Sequence, residues 1–220
     1  MRITLGPITK ALVIANAALW LVPFVSGHEE AVLVEGGFWP IRISEWLNGG
    51  LIPGPGGHEW LIPAALTPLS SAFLHGGLLH LAMNMLVIAI CGSAVEHALG
   101  PVRYAILYLL GIYAACIGHY LSGPDSALPM VGASGAISAI LAIYFLLIAR
   151  RIPRGFGPVP PLLVHMAWLA LAWITINLLA GLAMEGSIIS IAIYAHIGGF
   201  IAGLALFLPL TRHLRLAARD

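Results

Sequence analysis

Six apolar stretches recur along this chain, at 7–26, 76–95, 103–122, 133–149, 161–184 and 188–210. Each is close to the roughly 20 residues that a helix needs to cross the hydrocarbon core of a bilayer. Lipid offers backbone N–H and C=O groups no partners, so segments of this length are helices whose hydrogen bonds close internally. The expected fold is an all-α membrane protein of six spans. Composition agrees: 60% of the 220 residues are hydrophobic and 9% are charged, where a soluble domain carries about a quarter charged residues. Mean hydropathy is +0.98, and a water-soluble globule is excluded. A secretory signal is the alternative for the first stretch, but its length and its lack of a small-x-small cleavage site favour a retained helix.

An even number of spans places both termini on one side. With the N-terminus inside, Arg2, Lys10, Arg103, Arg150, Arg151, Arg154, Arg212, Arg215 and Arg219 are cytoplasmic, leaving Arg42 outside, as the retention of basic residues on the inner side requires. The acidic residues Glu29, Glu30, Glu35, Glu45, Glu59, Asp125 and Glu185 fall outside. The long first connection, 27–75, is rich in Gly and Pro and carries Trp39, Trp46 and Trp60, a pattern suited to short segments lying at the headgroup level. The connection 150–160 is a short basic turn. No internal repeat is visible, and residues 1–220 are expected to form one domain. A net charge of +1 leaves no basic face for nucleic acid. Cys91 and Cys116 lie within apolar runs and read as small, reduced, structural hydrophobes.

Polar side chains inside spans are expensive and mark function more often than they do in a soluble core. His80 and Asn84 stand four apart, on one helical face; Ser134 opens the fourth span and His196 lies in the sixth. From Ser134 to Arg150, His196 to Arg212 and His80 to Glu96 is sixteen residues in every case, which puts all three roughly 24 Å above the inner boundary and about 6 Å beneath the outer one. The chain has two aspartates, Asp125 in a loop and Asp220 at the end, so an aspartyl mechanism is excluded. His28–Glu29 and His58–Glu59 lack the second histidine of a zinc-protease helix, and no metal or cofactor is expected. A serine activated by a histidine remains, without a carboxylate as third member: a Ser134–His196 dyad. His80, the Asn84 amide and the Ser134 backbone N–H are candidate oxyanion donors, aided by the helix N-terminus at Ser134. Each residue alone also fits a bland role. Ser134 or either histidine can serve helix packing or a helix–helix hydrogen bond, and Gly199 and Gly203 are read as packing positions. His119 and His165 read as interfacial or packing residues, and Met83, Met85 and the tryptophans of the fifth span as apolar surface.

The runs Phe73-Leu74-His75-Gly76-Gly77-Leu78-Leu79-His80-Leu81-Ala82-Met83-Asn84, Gly92-Ser93-Ala94-Val95-Glu96, Gly132-Ala133-Ser134-Gly135-Ala136-Ile137 and Ala195-His196-Ile197-Gly198-Gly199 with Gly203 resemble the rhomboid family of intramembrane serine proteases. The resemblance covers about residues 67–205. It implies a six-helix bundle with Ser134 as nucleophile, His196 as general base, and His80 and Asn84 as oxyanion-hole contributors. It further implies that transmembrane proteins are cut near the outer face, after local unwinding and lateral entry from lipid; separately, a bare six-span core suits a prokaryotic plasma membrane. Two features depart from the family. The aromatic residue that commonly follows the nucleophile by four positions and stacks on the catalytic histidine is Ser138 here, so Tyr194, Tyr144 or an outer-loop tryptophan is expected to support the ring. A first-loop Trp-Arg pair is replaced by Leu66 and Thr67. Two rivals stand beside a protease: a non-enzymatic relative that escorts transmembrane helices, which typically lacks the serine or histidine, and a channel or transporter, which places polar groups at several depths.

Overall fold

A computed structural model of the chain describes residues 4–57, 59–148, 156–183 and 192–217. Arg2, His58, Arg150, Arg151, Arg154, Glu185, Arg219 and Asp220 lie outside them, as do the expected span ends at 149, 184 and 188–191. The first helix, α1 (Pro7–Ser26), has proline at its first turn and stops at Gly27 in the left-handed region, φ 69°, a conformation that glycine adopts without steric cost. The first connection folds into α2 (Glu29–Gly36), α3 (Pro40–Leu47) and α4 (Thr67–Ser71). The second span is α5 (Leu78–Val87), which passes through a π-helical turn, Ile88–Gly92, into α6 (Ser93–Leu99). Then come α7 (Pro101–Ser122), α8 (Ser134–Ile148), α9 (Pro161–Ala183) and α10 (Ile193–Ala217).

Among the described residues, five helices are long and apolar enough to cross a membrane: Pro7–Ser26, Leu78–Leu99, Pro101–Ser122, Pro161–Leu179 and Ile193–Arg212. The fourth expected span, 133–149, holds α8, whose described part is 15 residues and rises about 22 Å. It is also the most enclosed helix, with Ala136, Ala139, Ile140, Ala142 and Ile143 almost without exposed surface. Small residues let α7 and α10 close on it. A Cβ on Gly199 would collide with the Gly135 carbonyl, one on Gly203 with the Ala139 carbonyl, and one on Gly111 would lie 2.9 Å from the Ala139 Cβ. Gly199 and Gly203 are therefore packing positions, and the contact they permit is backbone on backbone.

Glu96, used above as a boundary charge, is instead 2% exposed. Its carboxylate accepts the N–H groups of Ile8 (2.9 Å) and Thr9 (2.8 Å), two of the donors a helix start leaves unpaired. The start of α1 is thereby fastened to the end of α6, and Thr9, Leu12 and Asn16 are buried in the bundle.

The first connection is fastened internally and to the bundle. The buried Arg42 guanidinium donates to Ile62 O (2.7 Å) and lies 3.6 Å above the Trp60 ring; an arginine–tryptophan contact thus exists in this loop, though not at Leu66 and Thr67. Burial pushes the Arg42 pKa below its ordinary value, and the nearby Glu35 carboxylate opposes that shift. Trp39 and Trp60 donate their indole N–H groups to Val34 O (2.9 Å) and Ile52 O (2.8 Å). Phe38 and Met130 exchange two backbone hydrogen bonds (3.0 and 2.8 Å), and Ile41 N donates to Ser126 O (3.2 Å). The segment leading into the Ser134 helix is held by this loop.

Candidate active site

Ser134 is the first residue of α8, and two residues earlier Gly132 turns the chain at φ +116°. Its N–H donates to Ser71 O (2.8 Å), tying the turn to α4. His196 lies in the first turn of α10, where its N–H donates to Ala192 O (3.2 Å). The backbone-tight packing of Gly199 on Gly135 brings the two helix starts together, and His196 Nε2 lies 2.8 Å from Ser134 Oγ. That distance is a hydrogen bond between a hydroxyl and an imidazole.

His80 and Asn84 flank Gly132. A Cβ built there would lie 2.7 Å from the His80 Cε1 and Nε2 atoms and 3.7 Å from Asn84 Nδ2, so both side chains reach the backbone just before the serine. Asn84 donates one amide hydrogen to His75 Nε2 (2.9 Å) and keeps a second. His75, quoted above only as part of a motif, is 4% exposed and meets the His80 ring edge-on at 4.9 Å between centroids. Its role is to hold Asn84 and His80, and the His75-x-x-x-x-His80-x-x-x-Asn84 spacing is where that role was visible. Beside Ser134 a small cavity of about 10 Å³, lined by Ser71, Cys116, Met130 and Gly132 among others, is about the size of one water site.

The expected aromatic support of His196 is not formed. Among the described residues no ring stacks on it: Tyr194 and Trp46 are exposed, Tyr144 packs on Phe145, and Trp39 and Trp60 are engaged in their own loop. Ser138 turns its hydroxyl back to Ser134 O (2.8 Å). The fifth span takes over instead. Asn177 Oδ1 lies 2.8 Å from His196 Nδ1, and the Trp173 indole donates to His196 O (3.3 Å) while stacking on Phe200 at 5.0 Å. Trp173 is therefore not plain apolar surface, whereas Trp168, 61% exposed, is. Asn177 satisfied the same criterion as the residues singled out above, a polar group inside an apolar span; a search for carboxylates passed over a neutral amide. His119 packs edge-on against Phe38. Among the described residues, no three His, Cys, Asp or Glu side chains are placed to hold a metal ion.

A model of the rhomboid domain matches residues 64–213, more than half of the chain, a range that includes His80, Asn84, Ser134 and His196. The chain belongs to the rhomboid family. It is 32% identical over 141 residues to the rhomboid-type serine protease 2 of Emericella nidulans, covering 64% of this chain and 26% of that protein. With the putative rhomboid protease YdcA of Bacillus subtilis it shares 28% identity over 149 residues, 68% of this chain and 66% of YdcA. With the rhomboid protease GlpG of Pectobacterium atrosepticum it shares 26% over 203 residues, 90% of this chain and 61% of GlpG. This rhomboid chain thus spans from about a quarter to two thirds of the length of those relatives. It is an integral, multi-pass membrane protein by family and by its apolar helices.

Proposed function

We propose that this rhomboid-family chain is an intramembrane serine endopeptidase. In it Ser134 attacks a peptide carbonyl while His196 takes the hydroxyl proton, and His80, Asn84 and the Ser134 N–H receive the oxyanion. The observation that carries the proposal is the 2.8 Å contact between Ser134 Oγ and His196 Nε2, at the start of the buried helix α8. A channel or an inactive escort has no need of a serine in hydrogen-bond contact with a bare imidazole nitrogen. The His196 base then returns its proton to the leaving amine, and a water repeats the attack on the acyl-serine. Each oxyanion donor contributes about 10²- to 10³-fold in rate.

The substrates are transmembrane segments of other proteins, cut near the extracytoplasmic face. A helical peptide bond is hidden by its own hydrogen bonds, so the segment must unwind, and water must reach a serine set below the surface. The chain sits as one domain, residues 1–220, in the plasma membrane with both termini cytoplasmic and with the first connection resting on the outer leaflet. The buried Arg42, with the half-buried Trp39 and Trp60, keeps that connection compact. The test is purified protein in detergent with a single-span substrate. Wild type is expected to cleave it and to be labelled by a fluorophosphonate, and Ser134→Ala and His196→Ala to do neither while remaining folded. Normal cleavage by Ser134→Ala, or undiminished labelling of His196→Ala, overturns the assignment.

A further inference from the structure

We propose that Asn177 is the third member of this site: a positioning residue that fixes the ring of His196 and the nitrogen on which its proton sits. The inference rests on the protease reading above and deepens it.

The proton positions follow from partners that have no choice. Asn177 Nδ2 lies 2.9 Å from Trp173 O, and a backbone carbonyl only accepts, so the amide nitrogen belongs on that side. The amide oxygen then faces His196 Nδ1 at 2.8 Å, and an oxygen of this kind also only accepts. Nδ1 must therefore carry the proton of the neutral ring. That leaves Nε2 with its lone pair, aimed at Ser134 Oγ at 2.8 Å, the tautomer a general base requires. Trp173 closes the other side by donating to the His196 carbonyl at 3.3 Å. Two residues one turn apart on α9 thus clamp one residue of α10 at both its ring and its backbone.

The surroundings of Asn177 point the same way. Of the residues of α9 whose exposure is described, Asn177 alone is buried, 6% exposed; Leu171, Ile176, Leu178 and Leu179 are exposed, toward what is lipid in this setting. A buried amide on the bundle-facing side of a largely apolar helix costs stability unless it is needed. It also stands where the family's aromatic support is missing, since Ser138 bonds within its own helix. A stacked ring limits the tilt of an imidazole, whereas a hydrogen bond to Nδ1 fixes both its rotation and its tautomer.

The variants that test this are Asn177→Leu, which keeps the volume and removes the acceptor, and Asn177→Asp, which keeps an acceptor toward Nδ1. In a helix facing lipid the leucine is expected to fold at least as well as the wild type, judged by thermal unfolding in detergent; Asn177→Ala carries the same expectation should leucine disturb the packing. Asn177→Leu is expected to lose about 10- to 100-fold in kcat with KM unchanged, and Asn177→Asp to return to within about 3-fold of wild type. Independently of any substrate, 15N NMR of the His196 ring at a pH where it is neutral is expected to show Nδ1 protonated and Nε2 bare in wild type, and the opposite tautomer growing in Asn177→Leu. An unchanged ring spectrum, or an Asn177→Leu enzyme with wild-type kcat, overturns the role of Asn177 while leaving the protease intact. A wild-type protein that shows no Ser134-dependent cleavage sinks the protease reading itself, and with it this one.

Discussion

Replacing Gly199 by alanine tests whether the packing of α10 on α8 sets the catalytic distance. The added Cβ would collide with the Gly135 carbonyl oxygen, with the carbonyl carbon only 2.9 Å away and Ser138 Cβ at 3.4 Å. Ordinary carbon contacts begin near 3.5 Å, and a backbone carbonyl cannot swing aside as a long side chain does, so the helices must separate by about 1 Å. Gly135 follows Ser134 directly and Gly199 lies three residues beyond His196, so the displacement falls on the reacting pair. A contact of 2.8 Å lengthens to nearly 4 Å, outside hydrogen-bond range. The expected losses are about 1–3 kcal/mol of stability and about 10²-fold in the rate of fluorophosphonate labelling. Thermal unfolding in detergent should show a melting temperature about 2–12 °C lower. Gly203→Ala is the control: its Cβ meets the Ala139 carbonyl and lies 2.8 Å from Ala142 Cβ, one turn further from the site, so stability falls similarly and labelling by less than about 10-fold. A Gly199→Ala protein that melts and labels like wild type refutes the idea that this contact sets the distance.

Two other substitutions probe the supports. Gly132→Ala places a Cβ against the His80 ring in a backbone conformation at φ +116°, and is expected to lower kcat by about 10²-fold or more while Ser134 still labels, measured by comparing peptide cleavage with fluorophosphonate uptake. Glu96→Ala removes the acceptor of the Ile8 and Thr9 N–H groups and is expected to cost about 2–4 kcal/mol, read as a lower unfolding temperature with wild-type activity at low temperature; an unchanged melting curve shows that α1 is held by other contacts.

Much of this protein was legible in one dimension. Length and apolarity of the segments dictate helices in lipid, because in a bilayer the solvent itself imposes the secondary structure; among the described residues five of the six stretches hold helices long and apolar enough to cross, and the stretch 133–149 holds α8. Ser134, His80, Asn84 and His196 stand out as candidates in the sequence because a polar group in hydrocarbon is costly and must have a reason to be there. Partnership was not findable in this way. That Asn177 rather than an aromatic ring supports His196, that Trp173 grips its carbonyl, that His75 holds Asn84, and that Glu96 caps a helix some ninety residues earlier in the chain all depend on which helix faces lie against one another. Sequence periodicity marks which residues share a face of one helix, but it carries no information about the neighbour. Here the neighbour is chosen by glycines that let backbones touch, so the 2.8 Å between hydroxyl and imidazole is a product of tertiary packing alone.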